Sequence, residues 1–211
     1  GVSGLLGNNL AIYFRNKYQV IGSYLSHPTY IEGIELIKCD FTDDKVVKGI
    51  LFQYQPDIIL HCVSLTDIEQ CQVDPRQARI LNTFCTKIIV DNIHDNQAKL
   101  ICISTDSVYS GIGKNYSEYQ EVKPQHYYGQ TKLEGENEAL KNTNSLVLRT
   151  NIYGWNVQDK HSLGEWIISQ LERRQTINGF VDASFSSIYT FEFARILDIA
   201  IKKNIRGYLC K

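Results

Sequence analysis

The chain has 211 residues and a mass of 24.2 kDa, with 22 basic against 23 acidic side chains and a formal net charge of −1. So balanced a charge argues against a nucleic-acid footprint, which shows a basic face, and a hydrophobic content of 43% argues against disorder. No apolar run approaches the ~20 residues of a membrane-spanning helix, and no signal peptide opens the chain.

In chain order, Leu5–Lys17 carries apolar residues at helical spacing, and Tyr18–Tyr24 and Glu35–Cys39 read as strands. Asp43–Tyr54 opens with acidic residues, which suit a helix N-terminus. Asp57–Val63 is almost continuously apolar, as expected of a strand buried on both faces. Asp74-Pro75 reads as an N-cap followed by proline at the first helical position, opening a helix to about Ile93. Strands follow at Lys99–Ser104, Ser145–Thr150 and Gly207–Cys210, with helices at Tyr128–Leu140, Ser162–Arg174 and Phe191–Lys203. Tyr109–Gln125 is the longest polar, irregular stretch. This alternation predicts parallel β-α-β units with right-handed crossovers, hence an α/β fold with a doubly wound parallel sheet.

Six cysteines occur, at 39, 62, 71, 85, 102 and 210, none in a Cys-x-x-Cys pair. That spacing argues against a zinc ribbon or a thioredoxin-like site, and no metal is expected. Cys39, Cys62 and Cys102 sit at or near the ends of apolar runs and read as small hydrophobes in a reduced, cytoplasmic protein. The chain contains no Met and opens at Gly1, already inside a motif. Both facts fit a segment of a longer protein, lacking an N-terminal strand and a C-terminal tail.

Three segments carry chemistry. In Gly1-Val2-Ser3-Gly4-Leu5-Leu6-Gly7, glycines recur every three residues and open a helix. Such a loop lets backbone approach a pyrophosphate at a helix N-terminus, although a plain tight turn looks the same. In Tyr128-Gly129-Gln130-Thr131-Lys132, Tyr and Lys share a helical face. A nearby ammonium favours the phenolate, so the Tyr128 pKa is expected to fall toward a range useful for proton transfer. With 13 tyrosines in the chain, an ordinary surface pair competes with that reading. Ser104-Thr105-Asp106-Ser107 ends a strand, where open parallel sheets bind ligands, or else forms a small polar cap.

The order of these segments resembles the extended short-chain dehydrogenase/reductase family, closest to the dTDP-4-dehydrorhamnose reductase-like sugar-nucleotide reductases. The specific portion is Ser104-Thr105-Asp106-Ser107-Val108-Tyr109, then Tyr128-Gly129-Gln130-Thr131-Lys132-Leu133-Glu134-Gly135-Glu136; the glycine motif is generic. The resemblance implies a Rossmann-type fold binding NADP(H) or NAD(H). It divides the chain into a dinucleotide-binding domain at 1–150, carrying the Tyr/Lys helix, and an incomplete substrate-binding region at 151–211. Gly1, Ser3, Gly4 and Gly7 would form the pyrophosphate turn, with Leu5 and Leu6 covering the cofactor. Ser23 would end the second strand, Asp40 and Phe41 would lie beside the adenine, and Cys62, Val63, Ser64 and Asn82 would line the cofactor. Thr105 would orient the substrate carbonyl, Tyr128 would be the acid/base, and Lys132 would bind the nicotinamide ribose and tune Tyr128. Asp106 and Asn151 would contact substrate, Asn151 within the loop begun by Arg149-Thr150-Asn151.

Departures from the family pattern bear on specificity. Gly22-Ser23-Tyr24 lacks the acid that grips a ribose 2′-OH, which tilts the cofactor toward NADP. Asn151-Ile152-Tyr153 stands where relatives carry tryptophan, and Ser186-Ser187 stands in place of a usual proline. The activity expected is NAD(P)H-dependent reduction of the 4-keto group of a nucleotide-linked 6-deoxy sugar. The alternatives are a non-catalytic cofactor-binding subunit like the methionine adenosyltransferase beta subunit, or a sugar-nucleotide epimerase or dehydratase. A dehydratase usually needs an acidic pair, and Ser107 follows Asp106 here. The expected partner is a nucleotide sugar, with neither nucleic acid nor membrane. A homodimer could form through the helix following Pro75 or the helix near Tyr128.

Overall fold

The computed structural model describes residues 1–93, 98–113, 115–158, 161–182 and 184–210. In chain order its elements are α1 (Leu5–Phe14), β1 (Ile21–Tyr24), β2 (Glu35–Lys38), α2 (Asp44–Tyr54), β3 (Ile58–His61), α3 (Ile68–Val73), α4 (Pro75–Arg79), a π-helical turn (Ile80–Phe84), α5 (Cys85–Asp91), β4 (Lys99–Thr105), a 3-10 turn (Asp106–Val108), α6 (Tyr127–Ala139), β5 (Leu146–Tyr153), α7 (Leu163–Glu172), β6 (Ser187–Tyr189), α8 (Thr190–Lys202) and β7 (Gly207–Cys210). Every strand pairing among the described residues is parallel, as the β-α alternation predicts. The chain divides into two compact units, one of Gly1–Lys38 with Asn151–Lys203 and one of Cys39–Thr150 with Asn204–Lys211.

In the first unit, β1 pairs with β2 from Ile21↔Glu35 to Tyr24↔Lys38, and β6 pairs with Asn151–Tyr153 of β5. Val2, Ala11 and Ile31 form a small core, flanked by Val20, Ile34 and Leu36. Both α1 and β1 are shorter than the sequence pattern suggests. The Phe14 carbonyl accepts from the Lys17 and Tyr18 amides, so residues expected as late helix and early strand form the turn that closes α1. On α8, the buried Asp198 accepts from Lys17 Nζ (2.9 Å), Tyr18 Oη (2.9 Å) and Lys202 Nζ (3.0 Å). These bonds, that from Lys17 foremost, hold its carboxyl down at about 2.

In the second unit the strands run β3-β4-β5-β7. β4 is buried along nearly its whole length. β3 is only half-buried, less than its apolar run suggests, because among the described residues it pairs with β4 alone. Cys39, Val47, Ile89, Leu100, Cys102, Ala139 and Val147 form the core here. Burial pushes every cysteine thiol up, Cys39 to about 11 and Cys85 to about 12, which fits their reading as small hydrophobes.

The helix expected from Pro75 to about Ile93 starts as predicted, with the Asp74 side chain accepting from the Gln77 amide. It is then interrupted by the π turn, a device that often marks functional sites. α6 approaches so closely that a Cβ on Gly135 would lie 2.3 Å from the Asn82 carbonyl oxygen.

Candidate active site

In the first unit, the glycine turn leads into α1. Gly4 is its N-cap and offers no side chain to the free amides, and no acid occupies the first turn. The positive end of the helix is therefore left for an external anion. A Cβ on Gly7 would sit 2.2 Å from the Gly1 carbonyl oxygen, so only glycine allows this turn. Ser23 Oγ accepts from the Gly1 nitrogen at 3.1 Å, and the Ser3 carbonyl accepts from Gln158 Nε2 at 2.6 Å. Leu5 and Leu6 form the first turn of α1. Asn9 donates to the Leu5 and Trp155 carbonyls and accepts from Thr190 Oγ1. Asn151, a proposed substrate contact, lies on β5 in register with Ser187.

In the second unit, β4 delivers Thr105 at its carboxyl end, where the 3-10 turn begins. Thr105 Oγ1 donates to Asp106 Oδ1 at 3.2 Å and accepts from the Ser107 amide at 3.1 Å. The His126 side chain caps α6 by accepting from the Gly129 amide. The helix then presents Tyr128 and Lys132 on one face, as their spacing requires. Gly129 allows the approach, since a Cβ there would lie 2.3 Å from the Ser107 carbonyl oxygen. The Thr105 hydroxyl acts on the Tyr128 phenol and favours its ionised form.

One electrostatic expectation is corrected. Lys132 was expected to lower the Tyr128 pKa. Instead burial pushes the phenol up to about 12, and the Thr105 hydroxyl opposes this only in part. The Lys132 ammonium donates to the Ile103 carbonyl at 2.6 Å, which is where its charge is engaged. That charge, after burial, also helps hold His61 at about 3, so this imidazole is neutral. His61 ends β3, its ring lies 6.0 Å from that of Phe41, and its Nδ1 is buried with no hydrogen-bond partner among the described residues.

The other candidate positions act locally. Asp40 Oδ1 holds the Thr42 amide and hydroxyl, fixing the turn that presents Phe41. After β3, Cys62 and Val63 lead to Ser64, whose hydroxyl donates to Asn82 Oδ1 at 2.8 Å. The Asn82 side chain also accepts from the Leu65 amide and donates to the Leu65 carbonyl and Thr131 Oγ1. Its polar atoms are thus engaged in joining the loop after β3 to α6. Arg149, expected to open a ligand-contacting loop, lies buried instead. It forms a bidentate pair with Glu136 and donates to Tyr109 Oη at 2.9 Å. Glu136 drew no role from the sequence, yet its spacing from Lys132 equals that between Lys132 and Tyr128.

A family model for the RmlD substrate binding domain matches residues 1–208. The chain is 30% identical over 194 residues to the probable low-salt glycan biosynthesis reductase Agl14 of Haloferax volcanii, covering 88% of this chain and 64% of that protein. It is also 30% identical over 158 residues to methionine adenosyltransferase 2 subunit beta of Xenopus tropicalis, covering 73% of this chain and 46% of that one. The chain therefore spans between about half and two thirds of the length of these curated relatives. A crystal structure of a hypothetical dTDP-4-dehydrorhamnose reductase from Sulfolobus tokodaii matches with a TM-score of 0.89 at 27% identity, covering all of this chain and 73% of that one. The parallel α/β fold is the Rossmann-like fold of these relatives. With a family model matched along nearly its whole length, the chain belongs to the RmlD substrate binding domain family.

Proposed function

We propose that this chain is the catalytic part of an NAD(P)H-dependent reductase acting on the 4-keto group of a nucleotide-linked 6-deoxy sugar. The observation that carries the reading is the placing of Thr105 at the carboxyl end of β4, its hydroxyl acting on the Tyr128 phenol, with Lys132 one turn further along α6. A reduced nicotinamide would supply the hydride. The glycine turn and the uncapped α1 N-terminus suit its pyrophosphate. Residues 1–150 would carry the dinucleotide and the acid/base helix, and 151–211 would contribute to the sugar site.

The proton chemistry follows from the phenol. A pKa pushed up to about 12 keeps Tyr128 protonated at neutral pH, the form needed to protonate a carbonyl oxygen as hydride arrives. Thr105 would orient that oxygen by turning its hydroxyl, which donates to Asp106 here, toward it. No helix among the described residues is long and apolar enough to cross a membrane. Free thiols, those of Cys39, Cys71, Cys85 and Cys102 buried, suit a reducing cytoplasmic setting, and dimerisation through α4–α5 or α6 belongs to the same proposal.

The likeness to an adenosyltransferase beta subunit favours one second reading, a cofactor-binding partner subunit without turnover. A panel of nucleotide-linked keto sugars, assayed by loss of NADPH absorbance with the full-length protein, separates the two. Substrate-dependent NADPH oxidation supports the reductase. Tight NADPH binding without oxidation of any panel member, together with co-purification of a second enzyme subunit, supports the partner.

A further inference from the structure

We propose that the buried Glu136–Arg149 pair is a positioning device, which holds α6 in register against the end of β4 so that Tyr128 meets Thr105. The proposal rests on the reductase reading above.

Tyr128, Lys132 and Glu136 recur every fourth residue and so form one stripe along α6. Each member of the stripe engages a different one of three consecutive β4 residues. The Tyr128 phenol feels the Thr105 hydroxyl, Lys132 Nζ donates to the Ile103 carbonyl at 2.6 Å, and Glu136 Oε1 accepts from Ser104 Oγ at 2.5 Å. Glu136 is wholly buried, and Arg149, on β5 in register with Ser104, is 4% exposed. Arg149 Nη2 reaches Glu136 Oε2 at 2.6 Å, and its Nε reaches both carboxylate oxygens at 3.0 and 3.2 Å. The remaining arm, Nη1, donates to Tyr109 Oη, which donates in turn to the Ser117 carbonyl at 2.9 Å. The guanidinium also lies over the Tyr208 ring, 4.4 Å from its centre. One cation thereby ties together the reactive helix, β5 and the irregular segment that follows the Thr105 turn.

Stability alone does not call for ions here. Desolvating two charges is expensive, and a well-packed apolar pair is often as stable or more so. What the fork-to-fork geometry adds is direction, because two parallel bonds fix both distance and angle. The glycines at 129 and 135 set how closely α6 approaches its neighbours but offer no directional bond along its axis. Glu136 supplies that bond one turn beyond Lys132.

The test uses the full-length protein with two variants, Glu136→Gln and the charge-free double variant Glu136→Leu with Arg149→Met. Four quantities are read: the urea unfolding midpoint, kcat and KM for keto-sugar reduction with NADPH, and the Tyr128 titration followed by NMR of Cζ-labelled tyrosine. Assignment of that signal comes from Tyr128→Phe. The expected result is a double variant with a wild-type unfolding midpoint, kcat lowered by about tenfold or more, a cofactor KM close to wild type, and a displaced Tyr128 titration. A stable double variant with wild-type kcat and an unmoved Tyr128 titration overturns the proposal. Loss of folding in both variants also overturns it, because the pair is then a structural element only. Should the wild type reduce no keto sugar, the reductase reading fails by itself, and the Tyr128 titration in the folded double variant still decides the positioning role.

Discussion

Replacing Gly129 with alanine introduces a methyl group at one of the tightest backbone approaches on α6. Built on this backbone, the new Cβ lies 2.3 Å from the Ser107 carbonyl oxygen and 2.9 Å from Pro124 Cβ. An ordinary contact needs about 3.5 Å, so α6 and the 3-10 turn must separate by roughly 1 Å. Alanine gains at most about 1 kcal/mol of helix propensity over glycine. Overpacking against backbone costs about 1–3 kcal/mol, so the net change is a loss of about 1 kcal/mol. The effect on chemistry is larger. The turn that must move is capped by Thr105, whose hydroxyl acts on the Tyr128 phenol, and a misplacement of about 1 Å can cost about 10²-fold in rate. Urea unfolding and steady-state reduction of a keto-sugar nucleotide, measured on one preparation, check both numbers. A Gly129→Ala protein more stable than wild type and fully active would refute the steric argument.

Other perturbations follow from named contacts. The Asp198 carboxyl is held at about 2 rather than the ordinary 3.8. A depressed acid stabilises the fold above its unfolded pKa and loses that contribution as pH falls through the folded one, here worth about 2 kcal/mol. Asp198→Asn should therefore lower urea stability by about that amount at neutral pH, with the gap closing toward pH 2; a gap unchanged between the two pH values contradicts the assignment. With its pKa pushed up to about 12, the Tyr128 phenol of the cofactor-free protein should stay protonated well past the ordinary value of 10.0. An NMR titration with a midpoint below that value contradicts the burial argument. Gly7→Ala drives a Cβ to 2.2 Å from the Gly1 carbonyl oxygen and should weaken NADPH binding by at least about tenfold, measured by calorimetry on protein that remains folded. Wild-type affinity in that variant would remove the turn from the pyrophosphate site.

Elements governed by local rules were legible. Asp74-Pro75 is a cap followed by a helix-compatible ring, and the helix starts there. The apolar run at Lys99–Ser104 is a buried central strand, extended by one residue to Thr105. What escaped depends on contacts distant in sequence. The π turn at Ile80–Phe84 lies where α6 crosses close to Asn82, and no periodicity near Ile80 announces that crossing. α3 was missed because six residues are too few to show a helical stripe, although the Asp67 cap was there to be read. The Tyr128–Lys132 pair followed from spacing, but the state of the phenol did not. Burial, which five residues of helix do not encode, decides it. Arg149 looked like the start of a ligand loop because its carboxylate partner stands 13 residues earlier.

The central claim is that this chain directs hydride to a sugar carbonyl while Tyr128 delivers the proton. The most direct measurement follows deuterium from NADPH, labelled at the transferable position, into a nucleotide-linked 4-keto-6-deoxy sugar. The account predicts label at the former carbonyl carbon with the wild type, and loss of about 10²-fold or more of that transfer in Tyr128→Phe, with NADPH affinity retained. Equal transfer by the two proteins, or none by the wild type, would contradict it.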